Sequence, residues 1–180
     1  MSSETPTEVG VFVWAMREAG GAARLTQTFA IELRHISMRT FTFHEAQSLL
    51  PVLASLLRQS MEAKQTIEAV EQEFSDLGER IFINGGTFVD VLAYAKRRAQ
   101  RDKAVESAKN ALGEINAVGV QVKDLDIGLL DFPCEVDGEI ILLCWKLGEE
   151  ALTQWHGMEE GFAGRKPIDD RIINAKGSNQ

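Results

Sequence analysis

This chain is short of cysteine, of positive charge and of long apolar runs, and each shortage excludes something. Two cysteines in 180 residues make no disulfide framework, so reduced thiols and a cytoplasmic location are expected. Lys and Arg number 19 against 27 Asp and Glu, a formal net charge of −8. A broad nucleic-acid surface needs clustered positive charge, as does an anionic membrane face, so no nucleic acid and no membrane partner is expected. No apolar run approaches the length of a membrane span.

What remains is an ordinary globular mixture, 44% hydrophobic and 26% charged, long enough for one domain with a core that needs no staples. Residues 1–37 stand apart. Their apolar patch, Val11-Phe12-Val13-Trp14-Ala15-Met16, follows Glu4 and Glu8 rather than basic residues, which makes a poor secretory signal. The texture changes at Met38. Residues 1–37 therefore read as an extension that is either not native to the protein or poorly ordered, the alternative being a loosely packed helix over 22–36. Residues 38–168 form the single domain, and 169–180 a polar tail that frays beyond Arg171.

Thr42-Phe43-His44-Glu45 is a capping box: the Thr42 hydroxyl accepts from the Glu45 amide, and the Glu45 carboxylate accepts from the Thr42 amide. A helix thus starts at Phe43, with Pro51 deep enough to kink or reset it. Leu49, Leu53, Leu56, Ser60, Ala63, Ile67, Val70, Phe74 and Leu77 recur in steps of four and three, a heptad seam along a helix over 43–79. Gly78 and Asn84-Gly85-Gly86 end it, with Ile81-Phe82-Ile83 as a brief extended segment. A second helix over 87–117 carries a stripe of Phe88, Val91, Leu92, Ala95, Ala99, Val105, Ala108, Leu112 and Ile115. Acids late in the first helix (Glu68, Glu71, Glu73, Asp76) and bases early in the second (Lys96, Arg97, Arg98, Arg101) predict an antiparallel hairpin, Glu73 beside Lys96 and Glu71 beside Arg98. An anion-binding reading of residues 96–103 competes with a solvated face neutralised by those acids, and the overall acidity favours the latter. The long seam suits association of two copies through helices 43–79 and 87–117.

Gly119 closes the hairpin and Val120-Gln121-Val122 begins a short strand. Asp137-Gly138 is a type I′ turn signal, and positions summing to 275 then face each other across a two-residue loop, Asp131 opposite Cys144 and Cys134 opposite Ile141. The return strand over 140–145 is apolar on both faces and so is buried on both, between the helical hairpin and a C-terminal helix. That helix runs from Gly148 to Gly157, with Glu149, Thr153 and His156 sharing one face at i, i+4 and i+7. The fold class is α+β, mostly helical: a long antiparallel helical hairpin with a small β-hairpin and a short C-terminal helix.

Several of these stretches occur together in one family. Phe41-Thr42 with Glu45-Ala46 and Leu49-Leu50-Pro51, the run from Val122 to Asp126, the run from Gly128 to Pro133, Leu143-Cys144-Trp145 with Gly148-Glu149, and Trp155-His156 with the run from Gly161 to Arg165 give a combination that resembles a bacterial family catalogued as domain of unknown function 2203. The resemblance spans residues 38–168. It implies no activity; it implies that the polar residues inside those motifs matter together.

The catalytic candidates are Asp131, Glu149, His156 and Arg165. Asp131 is the sharpest, since a carboxylate in an apolar strand is costly unless paired, and Arg165, Lys123 or protonated His156 could pair it. A bland reading stands beside this: an Asp131–Arg165 salt bridge that pins the C-terminal loop to the sheet. The divalent-metal candidates are Asp124, Asp126, Glu149 and His156, carboxylates with one imidazole that suit Mn, Fe or Zn, an oxygen-only subset suiting Mg, although there is no HExxH and no second nearby His. Cys144 lies mid-strand among apolar residues, where thiols are inert, so a Cys144–His156 nucleophile is disfavoured. Gly161-x-x-Gly164-Arg165 is a weak phosphate-loop signal, and Trp145 and Trp155 read as core or rim packing. Two functions follow: a cytosolic binding or scaffold protein that self-associates through its long helices, or a small metal-dependent or acid–base enzyme using the C-terminal cluster.

Overall fold

The computed structural model describes residues 39–175. The chain divides into two units, Met1–Arg39 and Thr40–Gln180, and every element described belongs to the second. The extension expected over 1–37 and the alternative helix over 22–36 lie outside the described residues, as do residues 176–180 of the polar tail.

The capping box forms as the sequence requires. The Glu45 amide donates to Thr42 Oγ1 at 3.2 Å and the Thr42 amide donates to Glu45 Oε2 at 2.8 Å. Helix α1 (Phe43–Ile83) starts there and continues through Pro51, 41 residues in all. Residues 81–83, expected to be extended, are its last turn. Gly78 does not stop it, and the chain turns only at Asn84, whose amide donates to the Arg80 carbonyl. Helix α2 (Val91–Val118) begins three residues later than the apolar stripe suggested. Its cap is Asp90, whose carboxylate accepts from the Ala93 amide at 3.0 Å, and Gly119 ends it in a left-handed conformation with φ +99°. The two helices pack antiparallel. Arg97, rather than Lys96, pairs with Glu73, its Nε donating at 2.8 Å, one residue from the expected register.

Five antiparallel strands follow, in sequence order: β1 (Gln121–Asp124), β2 (Leu129–Val136), β3 (Glu139–Lys146), β4 (Gln154–Gly157) and β5 (Lys166–Pro167). The β2–β3 hairpin has the register read from Asp137-Gly138, with Asp131 opposite Cys144 and Cys134 opposite Ile141, and both turn residues take positive φ (54° and 83°). The sheet is larger than the expected hairpin because Gln154-Trp155-His156-Gly157, expected to be helical, pairs with Cys144 back to Ile141. The short C-terminal helix lies further on, α3 (Asp170–Ile173), capped by the Asp169 carboxylate.

Alternation along β2 and β3 sorts the sheet into two faces. Leu130, Phe132, Cys134, Val136, Ile141, Leu143 and Trp145 join Leu50, Leu53, Leu57 and Ile115 of the helical hairpin in one core. Buried Ile172 of α3 belongs to the same cluster, so the tail does not fray at Arg171 as expected. Pro133 is tolerated in β2 because its carbonyl, accepting from the Phe41 amide at 2.7 Å, points away from β3, and its nitrogen points the same way. Farther out, Ala63, Ile67 and Ala104 make a smaller core between the helices. The seam on α1 is therefore largely consumed within one chain.

Candidate functional site

The opposite face of the sheet carries the polar residues. Asp131 is opposite Cys144, Cys144 is opposite Gln154, and Leu142 is opposite His156, so Asp131, Cys144 and His156 share that face on three adjacent strands. All three are buried, Asp131 to 1% and His156 to 2% exposure. Their ligand atoms lie within 4.8 Å of one another, and among the described residues they are the one such grouping of His, Cys and carboxylate side chains.

The geometry fixes the imidazole. His156 Nδ1 is 2.7 Å from the Gly157 carbonyl, which only accepts, so Nδ1 carries a proton and Nε2 faces Asp131 Oδ2 at 3.3 Å. Lys123 Nζ approaches the same oxygen to 3.9 Å. Lys123 reaches it from the residue extruded where the β1–β2 register shifts between Val122 and Asp124, a bulge that re-aims its side chain. Asp131 Oδ1, buried, has no hydrogen-bond partner. Burial first, and the Asp131 carboxylate second, push the Cys144 thiol up to about 12. A thiol held that strongly protonated is a poor nucleophile.

Arg165 does not pair with Asp131, so the expected salt bridge is replaced. Its Nη2 donates to both carboxylate oxygens of Glu149 at 2.9 Å and to the Cys144 carbonyl at 3.2 Å. Glu149 Oε2 also accepts from the Lys146 amide at 2.8 Å, which fastens the turn after β3. The guanidinium sits over the Phe162 ring, 4.9 Å from its centroid. The 3₁₀ turn Phe162–Gly164 delivers Arg165 to this place, and a Cβ on Gly164 would lie 2.5 Å from that of Glu160. The stretch is thus a tight turn holding a cation against β3, not a loop opening a helix toward a phosphate.

The remaining candidates are used locally. Asp124 Oδ1 accepts from the Asp126 and Ile127 amides at 2.8 and 3.3 Å, capping its own turn. Asp126, exposed, pairs with Lys64 of α1. Glu149, Thr153 and His156 do not share a helical face, because β4 occupies that stretch. The set Asp124, Asp126, Glu149 and His156 is thus not the cluster that forms. Cys144 was missed as a member, although the 275 register already set it opposite Asp131.

A second feature had no motif to announce it. The far end of the helical hairpin is apolar and open: Phe82 is 88% exposed, Phe88 93%, Val91 74%, Ile83 69% and Leu92 67%. Beside them Phe74 and Tyr94 stack at 4.3 Å, lining a groove of about 650 Å³ with Leu77, Ile83, Phe88 and Arg97. The first half of the α2 stripe therefore meets no partner within the described residues.

No helix among the described residues is long and apolar enough to cross a membrane. No curated protein and no solved structure matches this chain. The profile of an uncharacterised conserved protein family, DUF2203, does match it over residues 39–168, and on that match the chain belongs to the DUF2203 family.

Proposed function

We propose that this protein is a binding protein whose working surface is the apolar end of its helical hairpin, and that a second copy of the chain occupies it. The observation that carries this is the exposure of Phe82, Ile83, Phe88, Val91 and Leu92 at one end of the molecule. Taken with aromatic side-chain areas of about 150–250 Å², they leave on the order of 600 Å² of apolar surface in water. That is at the top of what a monomer's largest patch displays, and such patches mark interaction sites.

Charge supports a second copy as occupant. Glu71, Asp76 and Glu79 line the outer part of α1, and Lys96 and Arg98 the facing part of α2, all exposed, with Arg80 and Asp90 carrying the opposite signs nearer the tip. Two hairpins overlapping side by side at these ends about a two-fold axis set the acidic helix of each against the basic helix of the other. The apolar residues then form the centre and the charges the rim. Light scattering across a concentration series tests this: the mass rises toward that of two chains, and the dimer loosens at high salt as the rim charges are screened. A constant monomer mass up to high micromolar concentration refutes it.

An acid–base enzyme built on Asp131 and His156 is the weaker reading. Both are closed from solvent, which leaves no approach for a substrate atom to within hydrogen-bonding reach.

A further inference from the structure

We propose that Asp131, Cys144 and His156 form a closed site for one divalent transition-metal ion, of which zinc is the best fit. The proposal is independent of the hairpin end and differs from the set that the sequence suggested.

Three features of the cluster point to a cation rather than to a simple ion pair. The first is the tautomer. Because Nδ1 donates to the Gly157 carbonyl, Nε2 is the ring nitrogen turned toward the carboxylate and the thiol. An Nδ1–H bound to a backbone carbonyl is the usual outer support of a metal-bound histidine, and it leaves Nε2 to face the ion.

The second is distance. A protonated imidazole paired with a carboxylate draws in to about 2.7–2.9 Å, whereas Nε2 and Oδ2 stand 3.3 Å apart. Zinc bonds of about 2.0–2.2 Å to nitrogen and oxygen, at tetrahedral angles, separate two ligands by roughly 3.3–3.6 Å. The spacing already matches an edge of that tetrahedron.

The third is the orphaned oxygen. Asp131 Oδ1 is buried with no strong hydrogen-bond donor, the Cys144 thiol beside the carboxylate being a weak one, so a cation would satisfy it better. His156 Nε2, Cys144 Sγ and one Asp131 oxygen supply three ligands, and the second Asp131 oxygen lies beside the ion. The mixed nitrogen, sulfur and oxygen set suits zinc; magnesium and calcium take oxygen ligands. On binding, the Cys144 thiol releases its proton to water, and the resulting thiolate and the carboxylate together cancel the charge of a divalent ion. Lys123, at 3.9 Å from Oδ2, neutralises Asp131 when the ion is absent and swings to water when it is bound, being 42% exposed. Because the three residues are buried on three adjacent strands, the ion would tie β2, β3 and β4 together.

The full chain, purified with and without zinc in the growth medium, tests this. Elemental analysis of the zinc-grown protein should give about one zinc per chain. Cobalt(II), used as a spectroscopic probe, should produce a thiolate-to-cobalt charge-transfer band that saturates at one equivalent and is bleached by zinc. Cys144→Ser should abolish the band. Cys134→Ser should leave it unchanged, since Cys134 lies on the helix-facing side of the sheet. His156→Gln should weaken metal binding about tenfold or more, with circular dichroism confirming that each variant folds. A wild-type protein that takes up neither zinc nor cobalt overturns the proposal without recourse to any variant. So does a charge-transfer band that survives in Cys144→Ser.

Discussion

Replacing His156 by Ala removes the ring nitrogen 3.3 Å from the Asp131 carboxylate and leaves Lys123, at 3.9 Å from Oδ2, and the more distant Arg165 to offset its charge. Oδ1 already lacks a partner. Removing the partner of a buried carboxylate costs about 3–5 kcal/mol, because the carboxylate stays desolvated. At roughly 3–5 °C per kcal/mol for a domain of this size, Tm should fall by about 10–20 °C. Lost packing of the imidazole would lower Tm as well, so one variant does not isolate the charge. Asp131→Asn in the His156→Ala background does. It removes the stranded charge and keeps the shape, so the double variant should be more stable than His156→Ala alone by about 2 kcal/mol. Calorimetric melts of wild type, both single variants and the double variant complete the cycle. If His156→Ala melts within about 2 °C of wild type, or if Asp131→Asn lowers its Tm further, the carboxylate is not held by the imidazole and the reasoning fails.

Three other outcomes follow from local geometry. Gly128→Ala should cost about 2–3 kcal/mol in a denaturant titration, because φ is +65° and the new Cβ would lie 2.6 Å from that of Leu147. Thr42→Ala should cost about 1 kcal/mol in the same titration, losing the bond from the Glu45 amide while the Glu45 carboxylate still holds the Thr42 amide. Burial pushes the Cys134 thiol up to about 11 and that of Cys144 up to about 12 from 9.0, so both should resist a thiol reagent at neutral pH until the chain is unfolded. A folded-state value raised in this way favours the fold in full below pH 9, and that contribution is lost as pH climbs through 11 and 12. Melts should therefore weaken across that range, and Cys134→Ala/Cys144→Ala should flatten the decline.

Where the sequence contains a complete local instruction, the fold follows it. Thr42 and Glu45 satisfy each other within one turn, and Asp137-Gly138 admits one register, which alone places Asp131 beside Cys144. The errors lie where two patterns fit the same residues. Glu149, Thr153 and His156 recur at helical spacing, but Trp155 and His156 also alternate as a strand does. The open edge of β3 decided for the strand, since its amides and carbonyls need partners. Ile81-Phe82-Ile83 looks extended by composition, yet a helix already 38 residues long adds another turn at little cost, and Gly78 removes less than about 1 kcal/mol. The candidate site was half legible. Asp131 announced itself as a charge in an apolar strand. His156 reached it only through β4, whose pairing no local signal fixes, and Arg165 found Glu149 through a turn set by the contact of Gly164 with Glu160. The open apolar end of the hairpin was hidden by the same periodicity that predicted it, because a stripe on a helix does not say whether its partner lies in the same chain.

Sedimentation velocity of the wild-type chain beside Phe82→Asp/Phe88→Asp, at matched high micromolar concentration, tests the proposed interface most directly. Both side chains are almost fully exposed, so each substitution should leave the stability within about 0.5 kcal/mol of wild type. The wild type should sediment as a dimer and the variant as a monomer. Two boundaries that coincide, whether both dimeric or both monomeric, would contradict the assignment of the hairpin's end as the binding surface.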